Sequence, residues 1–157
     1  MYLEKQDYQI RVRLDLLDVL LENITLQAGG QQASPADILT AADKIASDTI
    51  RSKVGVLYNV TDELQKTGSD RNGYLIALGI SIGLYEIYQR SDDEEIPAKV
   101  IKNYNDALNA LDAIAKGKEA ITLPSLISDA PSGDGGLPER GVGLRRIGSA
   151  PKRSHRI

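Results

Sequence analysis

Cysteine is absent from the 157 residues, so the chain holds no disulfide, no thiolate nucleophile and no cysteine-based zinc site. Histidine occurs once, at His155, among glycines and a proline that position no partner for it. Imidazole catalysis and a histidine-centred metal site are therefore not expected. Tryptophan and phenylalanine are missing too, leaving seven tyrosines as the whole aromatic complement. Long apolar runs are also lacking. No uncharged stretch exceeds the 14 residues of the apolar run 72–85, too short to span a bilayer. The opening MYLEKQDYQI is charged where a secretory signal needs an apolar centre. The expectation is a soluble intracellular product with no membrane partner.

Catalytic signatures are missing as well. No G-x-S-x-G, H-E-x-x-H or Walker pattern occurs. GDGG (133–136) and GVG (141–143) have the composition of phosphate loops, but no strand precedes them and no helix follows. The acidic run DDEE (92–95) places its carboxylates side by side, whereas a cation loop spaces its ligands so that they converge. Acids just before a helix are favoured by its positive end without any ion. The expectation is a chain with no catalytic residue, no metal and no cofactor.

What is present is helical periodicity. In residues 11–23, Leu14, Leu17, Leu20 and Leu21 recur at helical spacing with acids between them, and a short turn near Gln6–Ile10 precedes them. GGQQAS breaks the pattern. A second helix, Pro35–Val54, is announced by Ser34 as N-cap, Pro35 in the first turn and Asp37 closing a capping box. A loop follows, with one helical turn after Thr61. The third helix, about 72–89, is apolar almost all round, which predicts burial inside the domain or between subunits. Gly79 and Gly83 lie four apart on one of its faces. A helix interior disfavours glycine by about 1 kcal/mol each, so close packing against that face is expected. The fourth helix starts near Pro97 and stops at Gly117, with Val100, Tyr104, Ala107, Leu108, Leu111, Ile114 and Ala115 on one stripe. No strand pattern appears. The prediction is an all-α fold: a small bundle of about four main helices over 1–124, then a long, extended, glycine- and proline-rich basic arm over 125–157.

Charge is divided along the chain. Residues 1–138 hold 13 basic and 21 acidic side chains, a formal −8; from Glu139 onward there are six basic and one acidic, a formal +5. Such a split suggests an interaction arm. Phosphate backbones attract clustered Lys and Arg. Against DNA stand the acidic body, which repels it, and the lack of aromatics for base stacking. The basic residues also alternate with Leu137, Val142, Leu144, Ile147 and Ile157, a mixture suited to a protein groove with apolar anchors and charge steering. Candidate contact residues are Leu144, Arg145, Arg146, Ile147, Lys152, Arg153 and Arg156. Nucleic-acid binding and an unattached solubilising tail stand as alternatives.

The stretch YNDALNALDAIAKGKEAITLP (104–124), the opening Met1-Tyr2-Leu3 and the helix ADKIASDTIRSKVGVLYNV (42–60) carry a resemblance. Tyr104, Ala107, Leu108, Leu111, Ile114, Ala115, Gly117, Lys118, Leu123 and Pro124 resemble the closing helix, glycine stop and Leu-Pro exit of the Mu-like phage head-completion, or head–tail adaptor, family. Tyr85 and Tyr88 fall where its members often carry Arg or Tyr and an aromatic. GGQQAS stands where members often have an Asp/Gly-rich region, and the arm is longer. The resemblance implies a virion connector at the neck between capsid portal and tail, assembled in host cytoplasm. It implies a homo-oligomeric ring, a dodecamer matching the portal, with the portal protein above and tail or stopper proteins below. DNA would pass through the channel without specific binding. The arm would be the clasp.

Overall fold

The computed structural model describes residues 1–27, 34–91 and 95–126. These are helical: a 3₁₀ turn (Lys5–Ile10), α1 (Leu14–Gln27), α2 (Pro35–Val54), the single turn α3 (Val60–Glu63), a second 3₁₀ turn (Gly68–Asp70), α4 (Gly73–Tyr88) and α5 (Ala98–Ala115). The all-α expectation holds, with four long helices. The arm from 127 onward lies outside the described residues, as do Asp92, Asp93 and Glu94.

Local chemistry sets the helix starts. Ser34 Oγ accepts the Asp37 N–H at 3.2 Å while Asp37 accepts the Ser34 N–H at 2.9 Å, the reciprocal capping box. Asn72 opens α4 by accepting the N–H groups of Tyr74 and Leu75 at 3.0 and 3.1 Å. Gly117 closes α5 in the left-handed region at φ +65°, and Lys118 N–H reaches back to the Ala113 carbonyl at 2.9 Å.

Helix α1 differs from the expected 11–23 at both ends. The N–H groups of Arg11 and Val12 both donate to the Tyr8 carbonyl at 3.0 Å, which completes the 3₁₀ turn and delays α1 to Leu14. At the other end Ile24 continues the buried face of Leu17, Leu20 and Leu21, so the helix runs on to Gln27.

Helix α4 is the axis of the core. It packs against α2, α5 and the N-terminal 3₁₀ turn, and α2 packs in turn against α1, α3 and α5. Leu75, Leu78, Ile80, Ile82, Leu84 and Ile87 are all buried, each contributing about 1.5–3 kcal/mol over leaving the side chain in water. The Tyr85 and Tyr104 rings stack across α4 and α5 with centroids 4.1 Å apart, and Lys53 Nζ meets Asp112 Oδ1 at 2.5 Å between α2 and α5. Beyond α5, Asn59 N–H donates to the Pro124 carbonyl and Leu126 N–H to that of Leu57, both at 2.8 Å. The isolated Tyr58–Ser125 bridge formed there is the nearest approach to a strand among the described residues.

Candidate functional site

The most elaborate polar chemistry ties the first residues to the bundle. Asp43 lies on the inner face of α2, 7% exposed. Its Oδ1 accepts the Leu3 N–H at 2.7 Å, and its two oxygens accept the Tyr2 N–H at 3.1 and 3.2 Å. Arg71 reaches in from the segment before α4. Its Nη1 donates to the Tyr2 carbonyl at 2.6 Å and to Asp7 Oδ2 at 2.5 Å, and its Nε to the Gly68 carbonyl at 2.8 Å. Hydrogen bonding to Asp7 holds the guanidinium charged even more firmly than usual.

Glu63 is the third member. Its carboxylate accepts the Tyr2 hydroxyl at 3.2 Å, the Asn72 N–H, and Lys66 Nζ at 2.6 Å. Burial alone would raise its pKa, but the donors from Lys66, Asn72 and Tyr2 outweigh burial and hold it below the usual carboxylate range. The Tyr2 phenol is pushed well above its ordinary value, first by burial and then by the Glu63 charge. Sequence reasoning missed this network. Its one visible signal is an acid among the apolar positions of α2, between Leu39 and Ala46.

The structure places Gly79 and Gly83 against the same N-terminal segment. A Cβ on Gly79 would stand 3.1 Å from one Leu3 methyl and 3.3 Å from the other. A Cβ on Gly83 would stand 2.7 Å from Tyr8 Oη and 3.8 Å from the Ala42 Cβ. The glycine face is thus covered by Leu3 and Tyr8 of this chain's own N-terminal segment, with Ile50 and Ala42 of α2 beside them. The seven arm candidates, Leu144, Arg145, Arg146, Ile147, Lys152, Arg153 and Arg156, lie outside the described residues, as do His155 and the two glycine-rich segments.

Comparison with known protein families, curated proteins and solved structures finds no match. Function therefore rests on this chain's own geometry.

Among the described residues no group of His, Asp and Glu could hold a metal ion. None of the helices there is long and apolar enough to cross a membrane. An open cleft of about 260 Å³ beside Met1 is lined by Asp43, Lys44, Asp48 and Arg51. Its charged groups are already engaged in part: Asp43 holds backbone, and Asp48 pairs with Arg51 at 2.6 Å.

The outward face of α1 is different. Leu16, Val19 and Leu26 are 55%, 53% and 82% exposed, opposite the buried Leu17, Leu20, Leu21 and Ile24. Positions 16, 19, 23 and 26 follow the three-four alternation of a packing seam, with Asn23 as its one polar member. Asp15 and Glu22 border this stripe, and α1 contains no Lys or Arg.

Proposed function

We propose that this chain is a structural virion protein: a head–tail adaptor that forms a ring on a phage portal, docks through its basic arm and extends the DNA channel toward the tail. The observation that carries the reading is the division of labour along the chain. A formal −8 resides in residues 1–138 and +5 beyond them. Within the helical body the buried polar side chains Asp43 and Glu63, and Arg71 beside them, are spent on holding the chain's own first residues. The exposed apolar side chains on α1 and the basic segment are suited to contact rather than to chemistry. An acidic ring wall repels DNA phosphates and so limits sticking during passage. Repetition around a ring also multiplies a contact that is weak in one copy.

Deleting residues 138–157 tests the reading. The truncated protein is expected to keep its helical circular dichroism and to lose co-sedimentation with portal-bearing particles. Undiminished capture would overturn the clasp. The six basic residues from Glu139 onward also favour a second reading, an accessory nucleic-acid-binding phage protein. DNA affinity that falls steeply with salt and vanishes with the deletion would select it.

A further inference from the structure

We infer that the outward stripe of α1 is the receptor for the basic segment of a second copy of this chain, with Leu144 and Ile147 seated beside Leu16, Val19 and Leu26. The inference rests on the ring-forming reading and names the contact that links one copy to the next.

Three observations select this occupant. First, size: three exposed apolar side chains on one helix are far less than the roughly 1,600 Å² of a standard protein–protein interface. They are the right extent for a short peptide with two apolar anchors, a scale at which a groove reads alternate side chains.

Second, charge. Asp15 and Glu22 border the stripe, and α1 carries no basic residue to oppose an incoming cation. Asp15 is held by Arg13 at 2.7 Å and Asp18 by Lys5 at 2.5 Å. Both pairs are exposed and solvent-screened, so an arriving guanidinium displaces them at little cost. The stripe of another copy is the poorer occupant, because it brings a second set of acids against the first. The segment LRRI (144–147) instead puts Arg145 and Arg146 between two apolar side chains.

Third, the balance of the whole assembly. Helical bodies of formal charge −6 (residues 1–124, with 13 basic and 19 acidic side chains) placed side by side repel one another. Within this chain the compensating charge is the +5 from Glu139 onward. Laying that segment on the neighbour puts cations between the bodies that need them. Each copy then gives one segment and receives another, a head-to-tail contact that closes a ring when the rotation allows.

The geometry makes a specific demand on mixtures. The full-length stripe variant Leu16→Ser/Val19→Ser/Leu26→Ser still gives a segment but receives none. The full-length segment variant Leu144→Ser/Arg145→Glu/Arg146→Glu/Ile147→Ser receives one but gives none. By light scattering at low ionic strength, the wild type is expected above one protomer mass, declining toward it as salt rises. Each variant alone is expected at one protomer mass with unchanged helical circular dichroism, and the equal mixture at two and no more. A wild type of one protomer mass at every concentration overturns the inference. So does either variant assembling alone, which for the segment variant would mean stripe-to-stripe pairing. A mixture that stays at one protomer mass overturns it too. If the stripe variant loses helicity, Glu22→Arg replaces it, mixed with the unchanged segment variant, which lacks both apolar anchors, and carries the test by the same masses. Co-sedimentation of the wild type with portal particles keeps the two proposals apart. A wild type that is captured but never self-assembles defeats the inference and leaves the adaptor standing, whereas a wild type that self-assembles but is not captured does the reverse.

Discussion

Asp43 Oδ1 accepts the backbone N–H of Leu3 at 2.7 Å, across forty positions of sequence. A helix side chain here serves as the hydrogen-bond partner that an N-terminal segment outside any sheet must find somewhere. Tyr2 and Leu3 are buried, so their N–H groups have no water to turn to. Asp43→Ala leaves both unpartnered, and each unsatisfied buried group costs about 1–3 kcal/mol. The expected loss is about 3 kcal/mol in urea unfolding, with Asp43→Asn losing less because one acceptor oxygen remains. A loss below ~0.5 kcal/mol, the range of ordinary surface changes, would show that the anchor is not structural.

Gly83 and Tyr8 form the second close pair. The Tyr8 hydroxyl is buried with no hydrogen-bond partner among the described residues, and it sits where a Gly83 side chain would go. Gly83→Ala alone is expected to destabilise by about 1–3 kcal/mol through overpacking, since the Tyr8 ring is fully buried and has no room to swing aside. Tyr8→Phe removes an unsatisfied polar atom and is expected to be neutral or stabilising. Together they should exceed wild type. The new methyl then meets the former hydroxyl-bearing carbon at 3.6 Å, an ordinary contact, and α4 gains about 1 kcal/mol of helix propensity. A double-mutant cycle by thermal unfolding reads the coupling. Additive effects would mean that the hydroxyl does not occupy that space.

These two pairs also show where sequence reading stops. The start of α2 was legible because Ser34, Pro35 and Asp37 complete their bonds within four residues. The burial of α4 was legible because a helix with no polar face has nowhere else to go. The start of α1 was not, because it depends on which N–H groups the Tyr8 carbonyl captures. The partners of Asp43, Glu63 and Arg71 were invisible because they lie 40, 61 and 64 positions away, and no local pattern encodes such pairings. Gly79 and Gly83 announced close packing, but not that Leu3 and Tyr8 of the N-terminal segment would do it. The outward stripe of α1 was overlooked for a related reason. Leucines on both faces of one helix look like a single apolar run until burial separates them.

At high pH the tyrosines should divide. Burial raises the Tyr2 and Tyr8 phenols well above the ordinary value of about 10, and Tyr74 is pushed up to about 12 by its hydrogen bond to Glu119. A phenol whose folded pKa exceeds its unfolded pKa contributes stability below about pH 10, and that contribution is lost as pH rises further. Tyr2 and Tyr8 should ionise only as circular dichroism reports unfolding. Complete ionisation of all seven in a folded protein would contradict the buried placement of these two.

Acid acts on the same N-terminal anchor through Glu63. Its folded pKa lies below that of an unfolded glutamate, about 4.3, because the Lys66, Asn72 and Tyr2 donors favour the charged form more than burial opposes it. Between those two values the unfolded chain binds the extra proton, so stability rises with pH there. The contribution is complete above about pH 5 and drains away as pH falls through the folded value. Glu63→Gln keeps an acceptor for Tyr2 but has no proton to gain. Its urea midpoint should lie below wild type at neutral pH and fall less steeply as pH drops below about 5, so that the two curves converge in acid. Protection of the Tyr2 and Leu3 amides, taken relative to their slower intrinsic exchange in acid, should fall in wild type over the same interval, because protonating Glu63 weakens its hold on the Tyr2 hydroxyl and Lys66. Parallel midpoint curves for the two proteins would remove Glu63 from the acid response and leave the Asp43 contact as the main tie on the first residues.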